Sequence, residues 1–350
     1  MIEVKCGHSH YQYQGQCRFC LRYLPELKNS KKRAKRSIYL DIPFPLTRFQ
    51  EEVAIKLRES SSKEIFLEAV CGAGKTEICL LALKKQLEMG SFCAWVIPRR
   101  EIVLDLTPRL QKYFPTLKVS ALCEGHLDEK EADLLVMTSH QLYRYENYFD
   151  FMILDEPDAF PFVDNPTLNF FLKRSLKKQY QLVLLSATTH PKLATKSMEH
   201  LVLDIRPSLE MLPVPQWRVS IFWVFFFLKD LKKHHQEACL VYLPSIQKAK
   251  RWSYLLRSPM ICSKTENKEE ILAQFKEKKG VLVCTTILER GVTFKDCFCF
   301  VLEADHPVFN KSTLVQIAGR VKRGLKPQKG ACYFYSKGKC EEVYKAITDI

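Results

Sequence analysis

Residues 67–83 read LEAVCGAGKTEICLLAL. The apolar run 65–70 (IFLEAV) enters Gly72-Ala73-Gly74-Lys75-Thr76, and an amphipathic stretch, 76–90, leaves it and closes at Gly90. The plain alternative is a glycine turn between a strand and a helix. A strand–loop–helix setting favours a phosphate cradle. The glycines let backbone N–H groups turn inward on phosphate oxygens. Lys75 places a point charge on the β- and γ-phosphates, the Thr76 hydroxyl suits Mg²⁺, and the helix N-terminus adds partial positive charge.

A cradle needs a second half. Residues 151–158, FMILDEPD, are an apolar strand ending in carboxylates. Hydrolysis of ATP needs an acid at a strand end to hold Mg²⁺ and another to orient water. Asp155 fits the first role and Glu156 the second. A solvated acidic turn would explain the charges but not the strand that delivers them. Ser186-Ala187-Thr188 closes the next apolar run, where its hydroxyls can hydrogen-bond the acidic motif. Further on, Gln316-Ile-Ala-Gly319-Arg320-Val-Lys-Arg323 is read within a helix opening at Val315. Arg320 and Arg323, one turn apart, would share a face and stabilise a transferring phosphoryl group.

The runs 65–70, 93–97, 133–137, 151–155 and 181–187 are nearly continuous apolar strands, as parallel sheets buried on both faces require. Helix-length segments separate them, giving a βαβ pattern. A Pro-rich joint covers 206–217. The alternation then restarts, with strands expected at 238–243, 280–285, 297–303 and 331–336 and helices at 247–258 and 268–279. The most apolar run, 219–228 (VSIFWVFFFL), is read as a buried strand, being far shorter than the ~20 residues that span a bilayer. The expected organisation is an amino-terminal module (1–27), a basic linker (28–37), an α/β domain (38–205), a hinge (206–217) and a second α/β domain (218–350).

In this order and spacing, AxxGxGKT (from Ala69), DExD, SAT and QxxGRxxR resemble the motor core of superfamily 2 helicases over roughly residues 40–335. The resemblance implies two RecA-like P-loop domains that use ATP and Mg²⁺. Gln50, in the run 47–50 (TRFQ), matches the adenine reader. Residues 98–100 and 138–141 match first-domain nucleic-acid motifs. Residues 285–292, ending in Gly291 and Val292, match a second-domain motif that touches strand and nucleotide. A narrower likeness joins 69–77 (AVCGAGKTE), 155–162 (DEPDAFPF), 212–215 (LPVP) and 316–321 (QIAGRV) to the ComFA family of late-competence ATPases. Pro157 stands where that family commonly has Val, and Lys322 where it often has Gly. The family implies a single-stranded-DNA motor in DNA uptake, working with ComFC and the uptake channel. It also implies a cytoplasmic place, peripheral at the inner face of the membrane, and is compatible with oligomers. A duplex-unwinding DNA or RNA helicase shares the motifs. An ATP-switched nucleic-acid adaptor is the alternative of another class, and Glu156 with the two arginines argues against it.

The 350 residues carry a formal charge of +15, which favours a polyanionic partner. The run 28–36, KNSKKRAKR, lacks apolar periodicity and reads as a tether or a nucleic-acid-contacting arm. Fourteen cysteines without an apolar leader indicate a reducing compartment. Eleven of them, from Cys71 to Cys340, read mostly as small core residues. Cys17-x-x-Cys20 is a zinc half-site, completed by Cys6 and either His8 or His10, with a Cys-x-His knuckle favouring His8. The resembling family more often supplies four cysteines. Tyr11, Tyr13, Phe19 and Tyr23 are expected to pack around the metal rather than stack on bases.

Overall fold

The computed structural model describes residues 12–13, 16–17, 22–158, 161–162, 164–187, 195, 197–208, 213–286, 294, 296–322 and 329–350. They form two compact units, Met1–Ala69 with Lys75–Leu203, and Val70–Gly74 with Asp204–Ile350. No helix among the described residues is long and apolar enough to cross a membrane.

The first unit carries α1 (Arg48–Glu59), β1 (Glu64–Ala69), α2 (Lys75–Glu88), β2 (Cys93–Ile97), α3 (Arg100–Tyr113), β3 (Val119–Cys123), β4 (His126–Leu127), β5 (Leu134–Thr138), β6 (Phe149–Asp155), α4 (Pro166–Ser175), β7 (Leu176–Ser186) and β8 (Glu199–Leu203). Its sheet runs β8-β1-β7-β6-β2-β5-β3-β4. Every pairing is parallel except the β3–β4 hairpin. Strands β2, β3 and β5 are buried at every position, which is why they read as unbroken apolar runs. The start of α1 has a local cause: Thr47 and Gln50 form a reciprocal capping box.

The basic segment 28–36 is held along this unit. Asn29 N–H donates to Glu146 O (3.0 Å), Arg33 N–H to Gly90 O (3.0 Å) and Arg36 N–H to Glu88 O (3.1 Å). The Arg33 guanidinium donates to Ala132 O (2.8 Å) and Asp133 Oδ1 (3.2 Å) and lies 4.3 Å from the Phe92 ring centroid. Lys31, Lys32 and Lys35 point outward. The sequence gives no sign of this anchoring, because the partners lie far along the chain. Gly90 serves it twice. Its φ is +77°, and a Cβ there would stand 2.1 Å from Arg33 O. Tyr23 also packs on this unit, edge-on to Tyr143 (5.3 Å) and Phe171 (5.7 Å).

The second unit carries β9 (Gln216–Val219), α5 (Trp223–His234), β10 (Ala238–Tyr242), α6 (Ile246–Leu256), β11 (Met260–Ile261), α7 (Lys268–Lys278), β12 (Gly280–Cys284), β13 (Cys297–Leu302), α8 (Lys311–Ala318), β14 (Cys332–Ser336) and α9 (Glu341–Thr348). Its sheet, β9-β14-β13-β10-β12-β11, is parallel throughout.

The run 219–228 corrects the strand expectation. Only Val219 lies in a strand, and the chain turns at Ser220, whose Oγ accepts from Phe222 N–H at 3.0 Å. Helix α5 follows, burying Trp223, Phe227 and Leu231 at four-residue steps. Ile221, Phe222 and Phe225 are left 74%, 69% and 66% exposed. An uninterrupted apolar run hides its own period, so hydropathy cannot separate helix from strand there. The buried Asp230 accepts from Tyr335 Oη at 3.0 Å and pairs with Arg218 at 2.7 Å, which locks α5 onto the sheet.

Candidate nucleotide site

Three adjacent strands of the first unit, β1, β7 and β6, end at one edge of the sheet. Ser186 pairs in register with Glu68, and Asp155 with Leu185. Ligands in open α/β sheets bind at such carboxyl ends. Helix α2 begins at Lys75, with Thr76 in its first turn and both half-buried. Burial pushes the Cys79 thiol of α2 well up; Asp155 and Glu77 add to the push and Lys75 opposes it. The Lys75 and Asp155 charges therefore lie within electrostatic reach of the same sulfur.

The acidic motif is shaped by its neighbours. Glu156 has φ of 57°, a left-handed conformation that costs a non-glycine residue about 1–2 kcal/mol. Its N–H donates to Leu185 O at 2.8 Å, which holds it there. Ser186 Oγ donates to Asp158 Oδ1 at 3.0 Å, so the expected link between hydroxyl and acid motifs is present. Thr188 lies outside the described residues. Phe162, of the 155–162 run, is buried in the core under α4.

Gln50 is 5% exposed. Its Oε1 accepts from Thr47 N–H at 2.9 Å and from the Thr47 hydroxyl at 3.1 Å, so the capping box orients the amide. Sequence reading missed Glu77. This buried carboxylate accepts from Arg109 Nη2 at 2.8 Å and Tyr113 Oη at 3.1 Å, pinning α3 to the first turn of α2. Its one sequence signal is an acid in a helical first turn.

The loop Val70–Gly74 groups with the second unit. Gly72 and Gly74 have φ of 86° and 82°, which L-residues rarely adopt, and Ala73 N–H donates to Val70 O at 3.0 Å. In the same unit α8 spans Lys311–Ala318, and the Asn310 side chain caps it by accepting from Thr313 N–H. The 316–321 run therefore closes a helix instead of opening one. The cap sets the start at Lys311, four residues before Val315, so the helix is over before Arg320 is reached. Arg320 lies beyond the helix end and is 3% exposed. Its charge bears on Tyr242, Cys284, Cys297 and Cys299 in the sheet. The spacing of Gly319 has a steric cause, since a Cβ there would stand 2.3 Å from Cys71 Cβ.

Arg323 and Gly291 lie outside the described residues, as do Cys6, His8, His10 and Cys20 of the expected zinc set. Cys17 ends a two-residue strand paired with Gln12–Tyr13. Of the eleven cysteines from Cys71 onward, all but Cys71 and Cys340 are buried.

The donors fit an Mg²⁺-bound nucleoside triphosphate. Thr76 and Asp155 carry hard oxygen donors of the kind Mg²⁺ takes, and Lys75 at a helix N-terminus is suited to phosphate. Residues 47–195 match the DEAD/DEAH box helicase family and 223–324 match the helicase conserved C-terminal domain. The fold is similar to Saccharomyces cerevisiae Dbp5 bound to RNA and ADP BeF3, with a TM-score of 0.66, 17% identity, and coverage of 86% of this chain and 85% of that one. The protein is thus a helicase-like ATPase with parallel-sheet, RecA-like units. It is 31% identical to the competence protein ComFA of Bacillus subtilis over 97% of this chain and 80% of that protein. It is 33% identical to ComFA of Streptococcus pneumoniae over 87% of this chain and 76% of that one. The chain belongs to the ComFA family.

Proposed function

We propose that the protein is a single-stranded-DNA-dependent ATPase that translocates the strand during DNA uptake in competence. The observation that carries this reading is the gathering of Lys75, Thr76, Asp155 and the Ser186–Asp158 bond at one sheet edge in a member of the ComFA family. Lys75 and the α2 N-terminus hold phosphate oxygens, and Gly72, Ala73 and Gly74 let the loop approach them. Thr76 and Asp155 would hold Mg²⁺, which neutralises charge on the β- and γ-oxygens when bound. Glu156 orients the attacking water, and the Ser186–Asp158 bond ties the acidic motif to the neighbouring strand. Arg320 and Arg323 stabilise charge on the transferring phosphoryl group. Gln50 and Gly291 complete the nucleotide contacts.

The outward lysines Lys31, Lys32 and Lys35 and the net charge of +15 favour a phosphate backbone as partner. Residues 1–27 form a zinc module through Cys6, His8, Cys17 and Cys20. The basic segment 28–37 is carried as a strap on the first motor domain, 38–205, and the joint 206–217, which runs into β9, leads to the second motor domain, 218–350. ComFC and the uptake channel are the protein partners in this reading, at the cytoplasmic face of the membrane. The test is phosphate release by the full chain with no polynucleotide, single-stranded DNA, duplex DNA or RNA. Stimulation by single-stranded DNA alone is expected. Equal stimulation by duplex or RNA would move the protein to an unwinding role, and absence of turnover would refute the ATPase cycle.

A further inference from the structure

Arg206 lies in none of the helicase-like motifs, yet it is 3% exposed. Four of its bonds run to main-chain carbonyls on two segments of the second unit. Nε donates to Cys71 O at 2.9 Å. Nη2 donates to Gly319 O at 2.9 Å, and Nη1 to Val321 O at 2.9 Å and Lys322 O at 3.2 Å. We propose that Arg206 is a positioning residue for ATP turnover, clasping the phosphate-binding loop to the segment that carries Arg320. The inference rests on the ATPase reading above and adds a residue that the motifs do not contain.

The chemistry explains why an arginine is buried here. Helix α8 ends at Ala318, and carbonyls past a helix end carry partial negative charge and lack intrahelical partners. A guanidinium offers five donors in a planar fork and spans several oxygens at once; a lysine ammonium is a single point. A second observation is steric. A Cβ at Gly319 would stand 2.3 Å from Cys71 Cβ and 3.0 Å from its Sγ, so loop and segment touch with no room for a side chain. Residues on both sides of Arg320 are held by Arg206, one of them Lys322 at a φ of 55°. Arg206 thereby sets where the Arg320 backbone stands relative to the loop. A misplacement of about 1 Å in such a constellation can cost roughly 10²-fold in rate.

The test uses full-length Arg206→Lys and Arg206→Gln. Without nucleotide, alkylation by N-ethylmaleimide is followed at Cys71 by peptide-resolved mass spectrometry. Cys340, the other half-buried free cysteine past residue 70, is the internal reference. Cys71 should react several-fold faster in both variants, with Cys340 unchanged. Initial-rate phosphate release should show kcat lower by roughly tenfold or more and KM for ATP within about threefold, the pattern of an interaction felt mainly in the transition state. If Arg206→Gln does not fold, Arg206→Lys carries both readouts, since it keeps the buried charge. Unchanged Cys71 reactivity in a folded variant overturns the clasp. Faster Cys71 alkylation with unchanged kcat overturns the positioning role while leaving the ATPase reading intact. A wild-type chain without turnover overturns that reading, and the positioning role with it, whatever Cys71 does.

Discussion

Lys322 occupies a backbone conformation, φ of 55°, in which an L-residue sits about 1–2 kcal/mol above its relaxed state. Glycine would suit that conformation, because it reaches positive φ without a Cβ clash. Lys322→Gly is therefore expected to stabilise the chain by about 0.5–1 kcal/mol, after the added freedom of the unfolded glycine is counted. A thermal unfolding midpoint that falls would contradict this. At Lys75 the expectation concerns chemistry. Lys75→Ala removes the point charge at the α2 N-terminus and should abolish phosphate release while leaving the unfolding midpoint near that of the wild type. Full turnover in that variant would remove the cradle from the mechanism.

Two elements owe their character to what they pack against. The strap of residues 29–36 approaches Gly90 so closely that an added Cβ would stand 2.1 Å from Arg33 O. Gly90→Ala meets backbone, not a flexible side-chain end, and strains a φ of +77°. A loss of about 2–4 kcal/mol is expected, read as a lower denaturant midpoint; a loss under about 0.5 kcal/mol, the range of ordinary surface changes, would show that the strap is not held there. Helix α5 behaves in the opposite way. Phe225 is 66% exposed on it, so Phe225→Lys should change stability by no more than about 0.5 kcal/mol. In a buried strand the same change would cost several times more. Chemical denaturation of this one variant separates the two arrangements.

Across the whole molecule, tyrosines and cysteines removed from water set the alkaline limit. Burial raises Tyr148 and Tyr180 to about 12 and pushes Tyr145 and Tyr335 up as well. In the unfolded chain these phenols ionise near ~10. Below that pH the phenols are neutral in both states and their full contribution is present. As pH rises from there through the folded values, only the unfolded chain releases protons, so stability falls. Thiols that burial pushes up, Cys79 and Cys93 among them, ionise in the unfolded chain near ~8.5. Stability followed by circular dichroism should therefore begin to fall there and more steeply above roughly pH 10, and a fraction of the tyrosinate absorbance should appear only with loss of structure. Complete ionisation in a chain that keeps its fold would disprove this.

The alternation of apolar strands with helix-length segments, and the order of the phosphate, acid, hydroxyl and arginine motifs, were set by the sequence alone. Each of these signals is local, carried by a handful of adjacent residues. Strand β2 lies where its apolar run lies, at Cys93–Ile97, and Asp155 ends the strand its apolar run predicts. Tertiary structure decided the rest. The run 219–228 became mostly helix because one face of it could pack on a sheet built from residues far downstream. The basic segment became an anchored strap because Arg33 meets Asp133, 100 residues away. Gly319 and Arg206 took on meaning only when the chain brought them to Cys71, which lies 135 residues before Arg206. Hydropathy and propensity act over a few residues, whereas a clasp between carbonyls distant in sequence exists only after the core that holds them has formed.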